Sequence, residues 1–170
     1  MPQGPAARLA DNVTHPFPPV LTGSPGAVTV LIGFMPAWRG LPDGSCGAIQ
    51  NAKDASDKVL DDLKAKKIVA AGTPAGPAAV AAEKAGQAAA LASMGAMITA
   101  AAAGGTDIHM CLGIPPPPFG IPHGPGIVMD GSKTVMINSM PACRLGDTVT
   151  EAIGGPNKIL MGCMTVIIGG

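Results

Sequence analysis

The sequence predicts a small, mainly β domain with approximate three-fold symmetry, interrupted by an inserted α-helical hairpin. Two short segments, one typical of a strand and one of a turn, each occur three times in the 170 residues. The strand-like segment, Gly-x-x-Thr-Val-x-Ile, occurs at Gly26–Ile32, Gly131–Ile137 and Gly162–Ile168. The turn-like segment, Pro-Ala-x-Arg, occurs at Pro5–Arg8, Pro36–Arg39 and Pro141–Arg144. Internal repeats of this kind indicate an architecture built from three similar units.

The order of the repeats predicts that the units close into a ring. The first two strand copies run into their turns through Met35 and Met140. The first turn copy has no strand copy before it, and the last strand copy has no turn copy after it. We therefore expect Pro5–Arg8 to lie beside the last strand and to supply its missing turn.

The composition between the first two strand copies is that of helices. Ile49–Lys67 has apolar side chains at helical spacing and acid-to-base pairs four residues apart, which predicts a first helix. Pro77 and the Gly104-Gly105 pair are typical start and stop signals of a second helix. The helical insertion is expected to cover residues 48–104 within a single domain of residues 1–170.

The second predicted helix admits two interpretations. Its segment Ala85–Ala103 has 19 residues and no charged side chain, so it is long enough to cross or enter a membrane. It is mostly alanine, which favours a hairpin whose small side chains pack closely on a neighbouring helix. The membrane-inserting segment remains the alternative.

The charge, composition and cysteine spacing narrow the class of protein. The net charge is zero, so we expect no general attraction to nucleic acid or to anionic membranes. With three Phe, one Trp and no Tyr, a small β-structure is expected to need an additional stabiliser such as a metal or a partner. The four cysteines form no C-x-x-C pair, and the first eleven residues lack the apolar stretch of a signal peptide, so a cytosolic, reducing start is expected.

Several motifs in order resemble one known family. The Pro-Ala-x-Arg turns, the loop at Pro122–Gly126 and the closing segment Gly155–Gly169 are similar to the PAAR-repeat proteins, which form the tips of type VI secretion systems and related contractile injection machines. The resemblance covers Pro5–Arg39 and Asp107–Gly170. It implies a three-sided β-cone whose base caps the trimeric VgrG-type spike and whose apex pierces the target membrane. It also implies a zinc ion near the apex, held by three His and one Cys.

The resemblance directs attention to the histidines as metal ligands. The chain has three, His15, His109 and His123, and each lies in a predicted loop. Imidazole nitrogens and a thiolate suit tetrahedral zinc, and four protein ligands would leave no open position for catalytic water. We expect Cys163, which lies in the closing segment that resembles the family's motif, to be the fourth ligand.

Two other residues compete with Cys163 for that role. Cys111 lies two residues after His109 and would place a thiol close to a ligand. Glu151 occupies the place of His15 when the segment DTVTEA is aligned with DNVTHP. The sequence alone leaves both alternatives open.

The remaining polar residues of the repeats favour structural roles. Arg8, Arg39 and Arg144 each end a turn copy, and Asp11 and Asp147 follow two of them by three residues. These spacings predict structural clamps in which each arginine binds an aspartate or a backbone carbonyl. Neither a G-x-S-x-G elbow nor a phosphate-binding P-loop occurs, so the chain is not expected to be an enzyme.

The leading hypothesis is therefore a zinc-stabilised tip that caps a trimeric spike, with one chain per trimer. Such a protein would be cytoplasmic until loaded and would then be delivered to the target cell, touching its membrane transiently. The alternative is an effector or cargo adaptor whose helical insertion binds a cargo, a chaperone or a membrane. The outward apolar set at the base is predicted to be one of two, Val30, Val135 and Val166 or Leu31, Met136 and Ile167.

Overall fold

The computed structural model describes residues 3–14, 19–111 and 122–169 and shows a β domain that carries two helices. The helices are α1 (Asp43–Ala70) and α2 (Gly76–Ala102). The strands in the described residues are β1 (Gly4–Ala6), β2 (Ala27–Ile32), β3 (Met35–Ala37), β4 (Ile108–Cys111), β5 (Gly124–Val128), β6 (Met136–Ile137), β7 (Met140–Pro141), β8 (Thr148–Glu151), β9 (Asn157–Lys158) and β10 (Cys163–Ile168). The predicted mainly β fold with an inserted helical hairpin is confirmed.

Three equivalent antiparallel pairs form one end of the domain, which we call the base. They are β2 with β3, β6 with β7, and β10 with β1. The same repeat positions face each other in each pair, namely Leu31 with Pro36, Met136 with Pro141, and Ile167 with Pro5. The pairing of β10 with β1 joins the last strand copy to the first turn copy, so the predicted closure of the ring is confirmed.

The first two pairs are hairpins with two-residue turns. Gly33 and Phe34 have φ angles of 55° and 65°, and Asn138 and Ser139 have 51° and 64°. Positive φ at both central residues matches the right-handed twist of the flanking strands. Phe34 accepts this uncommon backbone conformation at the surface of the base, where its side chain is 97% exposed.

A cycle of backbone hydrogen bonds joins the three turn copies. Ala7 N donates to Cys143 O at 2.9 Å, Cys143 N donates to Trp38 O at 3.0 Å, and Trp38 N donates to Ala7 O at 2.9 Å. Each buried peptide group therefore finds its partner in the next unit rather than in its own. The cycle makes the domain three-sided.

Each turn arginine forms an ion pair with an aspartate, as predicted for Arg8 and Arg144. The distances between guanidinium nitrogen and carboxylate oxygen are 2.8 Å for Arg8–Asp11, 2.9 Å for Arg39–Asp107 and 3.2 Å for Arg144–Asp147. The partner of Arg39 lies 68 residues further along the chain, because the helical insertion separates them. The insertion thus interrupts the second repeat between its arginine and its aspartate.

Apolar side chains fill the interior in layers. The base layer consists of the buried residues Ala6, Ala27, Ile32, Ala37, Ile137, Ala142, Cys163 and Ile168, against which Val30, Val135 and Val166 pack. The next layer consists of Ala7, Val13, Leu21, Trp38, Val128, Cys143, Val149 and Ile159. The other apolar set, Leu31, Met136 and Ile167, points outward at the base and is 58%, 53% and 56% exposed.

The helices begin earlier than the sequence predicts. Helix α1 starts at Asp43 rather than near Ile49, although Gly44 and Gly47 disfavour helix. Cys46 and Ile49 pack in a cluster with Ile127 of β5, and this packing outweighs the glycine propensity. Helix α2 covers Gly76–Ala102, within one residue of the expected bounds.

The hairpin runs along one side of the β domain and points away from the base. Near its start, the Asp43 carboxylate lies 3.2 Å from Lys133 Nζ of the base strand copy. Ten residues later, Lys53 Nζ donates to Gly154 O at 2.9 Å, at the opposite end of the domain. The turn between α1 and α2 therefore projects beyond that end, and the outward apolar set of the base stays uncovered.

Candidate metal centre

Three potential metal ligands meet at the end of the domain opposite the base, which we call the apex. Cys111 ends β4, His123 immediately precedes β5 and Glu151 ends β8. Strand β5 pairs with both neighbours, and its register sets Cys111 opposite Gly124 and Glu151 opposite Gly126. One sulfur, one nitrogen and one oxygen atom of the three side chains all lie within 4.8 Å of one another.

Direct hydrogen bonds connect these three residues. His123 Nδ1 lies 2.8 Å from Glu151 Oε2, and the backbone N–H of His123 donates to Cys111 Sγ at 3.3 Å. Asn157 Nδ2 also donates to Glu151 Oε2 at 2.9 Å. Cys111 and Glu151 are buried, whereas the His123 side chain is 29% exposed, so the centre is accessible from the His123 side.

Glycines allow the ligands to approach each other. A Cβ atom at Gly126 would lie 2.9 Å from Glu151 Cγ, so a larger residue there would displace the carboxylate. Gly154 has a φ of +91°, and a Cβ there would lie 3.2 to 3.3 Å from the His123 ring. Gly126 thus permits the close approach of Glu151, and Gly154 permits both a positive φ and contact with the His123 ring.

His109 lies beside this group. It is buried on β4, two residues before Cys111, and therefore on the same face of the strand. Its Nε2 atom lies 3.5 Å from Glu151 Oε1. Two of the three predicted histidines, His109 and His123, thus both lie against Glu151.

The structure does not bring Cys163 to the metal centre. Cys163 begins β10, pairs with Ala6 and packs in the base layer. Its Sγ atom lies 3.2 Å from the Thr165 hydroxyl, and this hydrogen bond lowers the pKa of the thiol. Cys111, the first alternative that the sequence left open, lies at the apex instead. His15, the remaining predicted ligand, lies outside the described residues.

A spacing in the sequence identifies the apical residues once the second repeat is recognised across the insertion. Each clamp aspartate is followed by a candidate ligand four residues later. The pairs are Asp11 with His15, Asp107 with Cys111 and Asp147 with Glu151. The alignment of the first and third pairs was visible in the sequence. The second was missed because the insertion separates Asp107 from its arginine.

The donor atoms fit zinc. Thiolate, imidazole and carboxylate are its usual protein ligands, and bond lengths of about 2.0 to 2.3 Å place tetrahedral ligand atoms roughly 3.3 to 3.7 Å apart. The 4.8 Å limit on the three described ligand atoms is compatible with such a shell after small side-chain adjustments. A thiol in the set argues against calcium or magnesium, which prefer oxygen ligands. The Asn157 amide would orient the carboxylate as an outer-shell partner.

Cys143, the buried cysteine of the third turn copy, has a different environment from Cys111. Cys143 lies in the second core layer, where burial raises the pKa of its thiol well above its ordinary value. A neutral thiol in an apolar layer acts as a small packing residue. It is thus chemically distinct from Cys111, which lies next to an imidazole and a carboxylate.

Comparisons with known proteins agree with the fold and the repeats. Residues 120–170 match a protein-family model described as PAAR motif. No curated protein and no solved structure matches the chain. The matched segment contains His123, Glu151, the third turn copy and the last two strand copies. The chain carries the PAAR motif over residues 120–170.

Proposed function

We propose that this protein is a metal-stabilised, non-catalytic tip that caps the end of a trimeric VgrG-type spike. The observation that carries the proposal is the base, where one chain presents three equivalent strand pairs around a cycle of hydrogen bonds. A trimer end has three equivalent surfaces. A single chain can contact all three in the same way only if its own surface is approximately three-fold.

The outward side chains of the base suit such a contact. Leu31, Met136 and Ile167 occupy the same repeat position and are exposed to nearly the same extent, between 53% and 58%. Exposed apolar side chains arranged around an axis indicate an interface with a partner. The hairpin does not obstruct this surface, since its tip projects past the apex.

We further propose that His15, Cys111, His123 and Glu151 hold one zinc ion at the apex, and that His109, the remaining predicted ligand, packs beside Glu151. Three of these residues occupy the same position in the three repeats, so a metal would link all three sides of the cone. When bound, zinc supplies a rigid cross-link in a domain with few large apolar side chains. The Glu151 carboxylate orients toward His123, and the Cys111 sulfur accepts the His123 N–H, so the chain positions three ligands itself.

Four protein ligands around zinc leave no position for a catalytic water, which supports a structural rather than an enzymatic role. The tip would be carried on the spike from the cytoplasm of the producing cell to the target cell. The alternative role, an adaptor for cargo, a chaperone or a membrane, concerns the helical hairpin and not the base.

The test is the mass of a reconstituted complex with a trimeric spike protein, measured by native mass spectrometry. We expect one chain per spike trimer. Leu31→Asn should weaken capping while zinc content stays unchanged. Val59→Asn is the matched control, because Val59 is also exposed, at 57%, but lies on α1 away from the base. Three chains per trimer, or equal loss of capping in both variants, would overturn the proposal.

A further inference from the structure

The turn of the helical hairpin presents an apolar surface that the β domain does not cover. We define the hairpin tip as residues 68–82, a stretch without any charged side chain. Ile68, Val69 and Val80 are 71%, 82% and 39% exposed there. The tip also contains Gly72, Pro74 and alanines, which add no polar side chain. Exposed apolar residues at the end of a projecting element indicate contact with another surface.

The hairpin tip lies well beyond the rest of the molecule. One hydrophobic cluster, which consists of Leu60, Ala90 and Ile153, joins the hairpin to the β domain. It is the cluster of this kind that lies nearest the tip. From Leu60 to the end of α1 at Ala70 there are ten more helical residues, or about 15 Å of helix. The apolar side chains of the tip therefore do not serve the core of this chain.

Basic side chains surround the hairpin tip. Lys64, Lys66 and Lys67 precede it by one helical turn, and Lys84 follows it. Residues 64–84 contain these four lysines and one acid, Glu83, which gives a net charge of +3 in a chain whose total is zero. By contrast, residues 43–62 carry five aspartates and two lysines, a net charge of −3. The hairpin is therefore polarised, with its positive end at the tip.

The lysines remain available to a partner surface. Lys66 and Lys84 are exposed. Lys64 lies 3.4 Å from Asp61 with 53% of its side chain exposed, and Lys67 lies 2.6 Å from Glu83 with 38% exposed. Lysine stems can lie along apolar material while their ammonium groups reach phosphate, which is the arrangement found at membrane interfaces.

The length and composition of α2 agree with a lipid environment. Gly76–Ala102 is the one helix in the described part of the chain that is long and apolar enough to cross a membrane, and only 22% of its most apolar window is buried in the protein. The exposed tip and the surrounding lysines are independent observations that point to the same kind of surface.

We propose that the hairpin tip docks on an anionic lipid bilayer, with Ile68, Val69 and Val80 entering the interface and the lysines contacting lipid phosphates. A narrow turn between two helices offers little area for a protein partner, which typically needs about 800 Å². Docking on a bilayer requires no complementary protein surface of this size. The tip projects past the apex, so it would meet a membrane at the same end of the molecule as the metal centre. This inference depends on neither spike binding nor zinc binding.

The test uses the purified full chain and flotation with lipid vesicles. We expect it to float with vesicles of phosphatidylcholine and phosphatidylglycerol, and much less with phosphatidylcholine alone. Combining Ile68→Asn with Val69→Asn should reduce binding at least about tenfold, because the two most exposed apolar side chains are lost. Lys64→Gln and Lys66→Gln should each reduce it about fivefold, with the loss disappearing in high salt.

Val59→Asn is the matched control, because it makes the same apolar-to-amide change at an exposed site on α1 below the tip. It should bind vesicles like the wild type. Unchanged binding of the Ile68/Val69 double variant would overturn the proposal, as would equal binding to neutral vesicles. Self-association in lipid-free solution that the double variant abolishes would also overturn it, since the tip would then serve a second copy of the chain.

Discussion

The base and the apex of the cone treat the same three-fold repeat in opposite ways. At the base, equivalent positions carry equivalent side chains: Ile32, Ile137 and Ile168 are all buried, and the residue before each of them is exposed. At the apex, the equivalent positions Cys111 and Glu151 carry different donor groups, and the corresponding position in the sequence of the first repeat is His15. A symmetric partner requires a repeated surface, whereas a metal requires only that suitable donor atoms converge. The three-fold repetition of side chains is therefore retained at the base, the proposed partner surface, and relaxed at the apex.

The largest expected effect comes from removing an apical ligand. Cys111→Ser should abolish most of the zinc content and destabilise the protein by several kcal/mol, roughly 5 or more, because metal binding contributes directly to folding free energy. Elemental analysis and thermal unfolding measure both quantities. Cys163→Ser is the control at the base, and it should retain the metal. If Cys163→Ser lost zinc while Cys111→Ser kept it, the apical assignment would fail.

The next prediction tests the inward and outward sets at the base with adjacent residues. Ile137→Ala removes a buried side chain and should lower the free energy of unfolding by about 2–5 kcal/mol. Met136→Ala, at an exposed neighbour, should change it by less than about 0.5 kcal/mol. Urea titration of both variants gives the comparison. Similar losses in the two would show that the outward set is also part of the folded core.

The contribution of the Arg144–Asp147 ion pair to stability is expected to depend on pH. Burial raises the pKa of Asp147 to about 6, although hydrogen bonds from Arg144 oppose this shift. A carboxyl whose pKa is higher in the folded state stabilises the fold when protonated, and this contribution is lost as pH rises from about 4 to 6. The free-energy difference between wild type and Asp147→Asn should therefore change across that range, by at most about 3 kcal/mol. Urea titrations of both proteins at pH 4.5 and 7 measure it. A difference independent of pH would contradict the prediction.

The smallest expected effect concerns the link between hairpin and apex. Lys53 is buried and donates to Gly154 O and to Asp57, and Gly154 lies against the His123 ring. Lys53→Ala should cost about 1–3 kcal/mol by leaving a carbonyl without its charged donor. Hydrogen exchange should rise in residues 153–156 and along α1, but not in the base strands. Exchange that rises equally everywhere would indicate global destabilisation instead. Lys58→Ala, at an exposed position one turn and a residue further along α1, is the control.

The repeated segments made most of the cone predictable. Ring closure followed from the order of the strand and turn copies, because a strand without a turn and a turn without a strand complete each other. The outward set at the base could not be predicted, since Val30 and Leu31 are both apolar and only packing decides which one points inward. The start of α1 at Asp43 was missed for a similar reason, because contacts with β5 override the local glycines.

The metal centre was predicted less well than the cone. Cys163 was chosen because it lies in a segment that resembles the family's closing motif, yet that segment enters the base strand and places the thiol in the base layer. Cys111 and Glu151 are identified by their spacing from a clamp aspartate. For Cys111, this spacing becomes visible only once Arg39 and Asp107 are known to be partners. A long insertion makes such a pairing difficult to recognise, because residues that are close in space are then far apart in the sequence.

The closeness of the two ends of the insertion has a consequence for how such a tip could diversify. Asp107 N donates to Arg39 O at 3.1 Å, and Thr106 Oγ1 donates to Gly40 O at 3.2 Å, so the chain leaves the cone and re-enters it at one point. The entropy of closing a loop depends only weakly on its length, so segments of very different size could occupy this point at similar cost. The second repeat therefore offers an insertion point, at which segments of different size could be acquired without altering either the base or the candidate metal centre.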